Sequence, residues 1–195
     1  MKHQHFKLYL LFVLFILYKP CTAQQDWGIG IRAGAPTGVT VKRYFGQSSL
    51  EGVVGHAPMW FADHRIEHAA RRHGNRYYLG DYRGRSGAIS LQLRYLREMN
   101  FESDQAPGLA LYYGAGLYFR SITYYYDMYD SRHSEMLYNE PFTAFGLGPE
   151  AIFGMEYTFE ELPFISLFLE ASLYVEVLGV FHLEPLFGIG ARFNF

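Results

Sequence analysis

Large apolar residues recur at every second position over long tracts of this chain. Near one end the odd positions are Phe187, Ile189, Ala191, Phe193 and Phe195, while the even positions are Gly188, Gly190, Arg192 and Asn194. An extended strand sends successive side chains to opposite faces, so this parity predicts one apolar face and one small-or-polar face. The same alternation sets Trp27, Ile29, Ile31 and Ala33 against Gly28, Gly30 and Arg32, and Ile89, Leu91, Leu93 and Tyr95 against Ser90, Gln92 and Arg94. It continues through Leu109 to Arg120 and through Ile165 to Val175. Eight strands are predicted, at 26–35, 37–45, 49–56, 88–97, 108–122, 142–158, 164–177 and 181–195.

The connections between these segments fall into two kinds. Residues 46–48, 98–107 and 159–163 make short turns on one side. On the other lie 35–36 and 178–179 together with two long loops, 56–87 and 123–141. Amphipathic segments of about ten residues, joined by short turns on one side and longer loops on the other, are the pattern of a closed antiparallel transmembrane β-barrel. An even strand number leaves both termini on the short-turn side, the periplasmic one. Two further strands within 77–82 would make the barrel ten-stranded.

A secreted β-sandwich also alternates, and the polar face decides between the two. A sandwich turns that face to water and fills it with Lys, Thr and Glu. Here it is rich in glycine and carries balanced charge: Arg32, Lys42, Arg94, Arg120 and Arg192 against Glu51, Glu150, Glu156, Glu170 and Glu184. Inside a narrow barrel each charge needs a partner, because an isolated buried charge is very costly. Eight strands leave an interior only just wide enough for side chains, which suits the glycines. An all-β barrel with a lumenal charge network is therefore expected. Pro185 predicts a bulge in the last strand, which leaves the side taken by Glu184 open.

Composition refines the picture. Half of the residues are hydrophobic, yet mean hydropathy is near zero, as even dilution by polar residues requires. Residues 1–23 have the layout of a secretory signal, with Lys2 and Lys7, the apolar run Leu8 to Tyr18, and small residues at Cys21-Thr-Ala23. That run is shorter than the roughly 20 residues of a transmembrane helix. Lipidation at Cys21 is the alternative, although Tyr18-Lys19-Pro20 approaches it poorly. Cleavage after Ala23 leaves a barrel domain at 24–195 without cysteine, so no disulfide is expected. The loss of Lys2, Lys7 and Lys19 leaves 14 basic against 19 acidic residues, a balance that excludes nucleic acid as a partner.

The signal, the mature length, the repeated amphipathic strands and the Phe193/Phe195 ending resemble the small eight-stranded outer-membrane barrels of the OmpA/OmpX-like superfamily. Phe145-Gly-Leu-Gly148, Gly154-Met-Glu-Tyr157 and Leu162-Pro163 also resemble the outer membrane beta-barrel families of Gram-negative bacteria. The resemblance implies a monomer in the outer membrane, with Phe193 and Phe195 read by the barrel-assembly machinery. Phe195 is equally at home in an interfacial aromatic girdle.

The long loops hold the remaining candidate chemistry. His64-Arg-Ile-Glu67-His68 matches the H-x-x-E-H string of inverzincin proteases, in which two histidines hold zinc and the glutamate activates water. A five-residue string in a segment rich in histidine arises readily, and no third ligand follows at a recognisable spacing. At most His64, His68 and His73 bind metal adventitiously, and no cofactor is expected. The same loop carries Arg65, Arg71, Arg72, Arg76, Arg83 and Arg85 against Asp63, Glu67 and Asp81. Such a basic patch suits lipopolysaccharide phosphates. Tyr124, Tyr125, Tyr126, Tyr129 and Tyr138 give the second loop an aromatic belt or a binding surface. Three roles follow: a structural or surface-interaction barrel, which the charge network favours; a narrow conduit for small solutes; and a hydrolase similar to the lipid A deacylases. The last has only His133-Ser134 and His182 with Glu176 to draw on, without convincing triad spacing, so no enzyme is expected.

Overall fold

The computed structural model describes residues 26–56, 77–100, 107–130, 135–178 and 181–195. The signal segment with Cys21, the histidine string and His133-Ser134 lie outside the described residues. Eight strands run in chain order: β1 (Trp27–Gly34), β2 (Thr37–Phe45), β3 (Ser48–His56), β4 (Tyr77–Asn100), β5 (Leu109–Asp130), β6 (Glu135–Thr158), β7 (Ile165–Glu176) and β8 (His182–Asn194). Each pairs antiparallel with its sequence neighbours, and β8 returns to β1 from Gly28↔Asn194 to Gly34↔Gly188, which closes the barrel. Closure leaves no edge around the staves, the condition for a sheet to sit in hydrocarbon. Gly46 and Gly108 take positive φ, 64° and 84°, where the chain turns back between β2 and β3 and into β5.

The predicted parity holds around the ring. Ile31 is 70% exposed, Phe187 65% and Leu93 56%, while Lys42 and Arg94 on the opposite parity are fully buried. Apolar residues outside and ions inside invert the arrangement of a water-soluble protein, and a continuous apolar belt of this extent marks a lipid contact. The sandwich alternative falls, since there is one closed sheet and its polar face is the interior.

Two expectations need correction. Segment 56–87 is not wholly a loop: residues 77–87 belong to β4, pairing with β5 up to Tyr77↔Asp130. The described residues of segment 123–141, 123–130 and 135–141, are likewise strand, with β5 and β6 paired up to Asp130↔Glu135. Residues 77–82 thus extend β4 rather than add strands. The alternation was hidden by bulges, with register shifts between Leu79 and Tyr82, Tyr82 and Gly84, Ser86 and Ala88, and Tyr126 and Met128; each extra residue reverses the parity. β3 leaves β4 at Ile89, and the β6–β7 register ends at Glu150. Upper β4, β5 and β6 therefore continue past the rim as a three-stranded sheet, for roughly 30–40 Å of strand length at about 3.3 Å per residue.

The bulge expected at Pro185 is also absent. The β7–β8 register runs unbroken from Ile165↔Phe193 to Glu176↔His182 and pairs Pro185 with Leu173. Pro185 lies past the last β1–β8 register pair, on a stretch with one paired neighbour, where a missing N–H is tolerated. Glu184 consequently faces inward and is 1% exposed.

Candidate functional site

The candidate site is the lumen. One register row runs Gly28, Lys42, Glu51, Arg94, Gly116, Glu150, Tyr174, Glu184, a residue from each strand in turn. From β2 to β4 the charges alternate, so adjacent side chains in the row attract. All ten charged residues predicted for the lumen are buried there.

Arg94 is the hub of the central network. Its Nε lies 2.7 Å from Glu150 Oε1, and its terminal nitrogens reach Glu150 Oε2 at 3.2 Å and Glu170 Oε1 at 2.6 Å, with Glu51 at 3.6 Å. Arg32 pairs with Glu170 and donates to the backbone oxygens of Ala35 and Pro36 at 2.8 and 3.0 Å, tying the β1–β2 turn to the lumen. Arg192 links Glu51 (2.5 Å) to Glu156 (2.8 Å), and Lys42 links Glu156 (2.8 Å) to Glu98 (2.7 Å). Neutral donors complete the carboxylates: Thr40 on Glu51, Gln92 on Glu150, Tyr112 on Glu170, and Ser166 and Tyr44 on Glu156. The charged groups thus retain as hydrogen bonds much of the solvation they lose on burial, the condition under which buried ion pairs are tolerated.

Glycines make these connections possible. Arg94 on β4 must pass over β5 to reach Glu150 on β6, and the residue beneath it is Gly116, where a Cβ would lie 2.9 Å from Arg94 Cγ. Tyr112 passes over Gly154 to reach Glu170; a Cβ there would stand 2.5 Å from its hydroxyl. Arg32 crosses Gly188, Arg120 crosses Gly146, and Arg192 lies over Gly28. These five inner-face glycines are therefore crossing points, where an added β-carbon would collide with a neighbour's side chain.

Toward the end bearing the β7–β8 turn the lumen changes character. Tyr118 and Tyr174 stack edge to face with centroids 4.8 Å apart, and cluster with Ala35 and Leu186. Beyond them a single nitrogen of Arg120 meets Glu176 at 3.0 Å and Glu184 at 2.6 Å. The Tyr174 hydroxyl, Ser172 Oγ and Arg120 Nε are buried without a hydrogen-bond partner among the described residues.

Two lumenal acids escaped the sequence-based list. Glu176 shares the parity of Glu170 within the predicted strand, so the signal was present. Glu98 shares the parity of Arg94 but fell in a predicted turn, which β4 instead reaches past, to Asn100. The other candidates are dispersed. Arg83 and Arg85 lie in β4, Tyr124, Tyr125, Tyr126 and Tyr129 in β5, and Tyr138 in β6, while Arg65, Arg71, Arg72, Arg76, His64, His68 and His73 lie outside the described residues. Glu176 pairs in register with His182, but the candidate Ser134 lies outside the described residues. Among the described residues no three His, Cys, Asp or Glu side chains gather as a metal site.

A closed sheet with an apolar exterior and an ion-filled interior defines an integral membrane β-barrel. No family model matches the chain, and no curated protein matches it. Among solved structures it is similar to the N-terminal β-barrel domain of Pseudomonas aeruginosa OprF, with a TM-score of 0.58 at 13% identity over 88% of this chain and 98% of that one. It is also similar to Neisserial surface protein A (NspA), with a TM-score of 0.49 at 9% identity over 87% and 93%. At 13% identity the likeness to the OprF domain is one of fold: the chain is a small closed eight-stranded antiparallel barrel like that domain.

Proposed function

We propose that the protein resides as a monomer in the outer membrane of a Gram-negative bacterium and serves there as a structural and surface-interaction barrel with a closed lumen, not as an enzyme. The observation that carries this reading is the central network. Arg32, Lys42, Arg94 and Arg192, drawn from four strands, converge on Glu51, Glu98, Glu150, Glu156 and Glu170 across the barrel's width. Ions held this way cross-brace opposite staves and occupy the space through which a solute would pass. In planar bilayers the purified protein is expected to add no discrete conductance steps; stable steps would establish the competing reading, a narrow conduit, which the unpartnered hydroxyls beyond the central network favour.

The three-stranded extension supports the surface role, since it projects beyond the rim on the side opposite the termini. Arg83 and Arg85 lie on it, and Arg65, Arg71, Arg72 and Arg76 precede it in the chain; their charge suits phosphates of lipopolysaccharide. Replacing all six by Gln is expected to weaken binding to lipopolysaccharide micelles, with a stronger salt dependence in the parent. Phe193 and Phe195 face outward at the foot of the barrel, where Phe195 pairs with Trp27 through backbone bonds of 3.1 and 2.8 Å. In this reading the pair engages the assembly machinery, and Phe195→Ala lowers the amount of folded barrel in the envelope.

A further inference from the structure

At the end of the barrel that bears the termini, the outer face of the described strands carries two charged side chains, and both are arginines. Arg43 on β2 and Arg97 on β4 take the outward parity, exposed, at the end of the barrel that bears the termini. Around them the outward positions are Trp27, Phe45, Leu50, Tyr95, Met99 and Tyr113, all exposed. The register sets Arg43 beside Leu50 and Arg97 beside Ser48, so two strand spacings of about 4.8 Å separate them laterally. No carboxylate among the described residues pairs with either. The Arg43 guanidinium lies over two rings instead, 5.1 Å from the Trp27 centroid and 4.8 Å from that of Phe45. Between the arginines the Tyr95 hydroxyl donates to Ser48 Oγ at 2.9 Å, which leaves the Ser48 proton free to donate outward.

We infer that this sector of the rim, Arg43, Ser48 and Arg97 framed by Trp27 and Phe45, binds the phosphate of an anionic glycerophospholipid. The inference goes beyond the proposed surface role, resting only on the membrane-barrel reading, and concerns the opposite leaflet. An unpaired arginine on a lipid-facing surface is expensive unless it reaches the interface and finds an anion there. Free snorkelling would let Arg43 extend into water, whereas the Trp27 and Phe45 rings hold its guanidinium close to the barrel wall with N–H donors left for an anion. That geometry suits phosphate, which accepts paired N–H donors from guanidinium. The rings lie where interfacial aromatics sit, at headgroup depth with acyl chains alongside. The sector is also one-sided: at this end of the barrel the described residues of β5 to β8 carry no outward charge, so the barrel would hold lipid at one place on its perimeter.

The test is native mass spectrometry of the full chain in detergent, first shown folded by its heat-dependent gel shift and by insertion into liposomes. An equimolar mixture of phosphatidylglycerol and phosphatidylcholine with matched acyl chains is then added. The parent is expected to keep one phosphatidylglycerol with a preference of about tenfold, and Arg43→Gln/Arg97→Gln to fall to about parity. Trp27→Leu/Phe45→Leu, which keeps the apolar surface but loses the cation–π contact, is expected to lower retention about threefold. Equal retention by parent and double variant would overturn the proposal, as would displacement of the lipid by excess inorganic phosphate, which would mark a free-anion site. A parent that neither shifts on heating nor inserts would overturn the membrane reading itself, a result obtained before any lipid is added.

Discussion

The two halves of the lumen are built on different principles. In the central half four cations and five carboxylates share an unbroken set of ion pairs, and Thr40, Tyr44, Gln92, Tyr112 and Ser166 fill acceptor positions left over. Toward the β7–β8 turn one arginine nitrogen serves two carboxylates, a pair of tyrosine rings fills the section, and hydroxyls lie buried without a hydrogen-bond partner among the described residues. The central half pairs each of its charged side chains with an opposite charge, although Glu51 Oε2, Gln92 Oε1 and Arg192 Nε are left without a hydrogen-bond partner among the described residues. The other half satisfies only part of its polar inventory and is fit to hold ordered water, which takes two to four polar partners at such sites. Rigidity should therefore concentrate in the centre, and substitutions can test this by how unequally they act.

The largest difference should come from the two arginines. Arg94→Leu strands Glu150 and takes one of two cations from Glu170, and should destabilise the barrel by about 3–5 kcal/mol, the usual penalty for removing one partner of a buried pair. Arg120→Leu should cost less, roughly 2 kcal/mol, because one nitrogen makes both of its ion pairs. Urea unfolding in lipid vesicles, followed by tryptophan fluorescence, measures both; equal losses would erase the distinction. The crossing glycines come next. Gly154→Val puts methyl groups where the Tyr112 ring lies and should cost about 2 kcal/mol. The contrasting site is Gly52 on the outer face, where an added Cβ meets no atom within 4 Å. Gly52→Val should be neutral within about 0.5 kcal/mol, as surface changes usually are.

Much of this architecture was legible because parity is local. Knowing that Lys42, Glu51 and Arg94 share a face needs only their own strands, and once the sheet closes that face is the lumen. What stayed hidden is what the ring creates. Arg94 pairs with Glu150 two strands away, and Arg192 with Glu51 three strands away across the closing seam, contacts that depend on barrel radius and stagger rather than on spacing in the chain. The glycines at 116 and 28 record those crossings, but a glycine in a sequence does not name the side chain that passes over it. The extension beyond the rim was lost for another reason: bulges near Tyr82 and Met128 flip the parity, so a continuous strand reads as an irregular loop.

The finest test of the contrast removes a single oxygen from each half. The Tyr112 hydroxyl donates to Glu170 Oε2 at 3.1 Å, helping a carboxylate that also holds Arg32 and Arg94. Tyr112→Phe deletes a hydrogen bond to a charged group and should cost about 1.5 kcal/mol. The Tyr174 hydroxyl is equally buried but meets no hydrogen-bond partner among the described residues. Tyr174→Phe therefore removes a polar atom that the protein leaves unsatisfied and should lie within about 0.5 kcal/mol of the parent, or be slightly stabilising. Both variants keep the ring and nearly all of its packing, so the difference between them isolates the hydroxyl. A loss at Tyr174 as large as that at Tyr112 would mean that its hydroxyl is held by water as firmly as the other is by Glu170, and that the two halves of the lumen are alike in polar satisfaction.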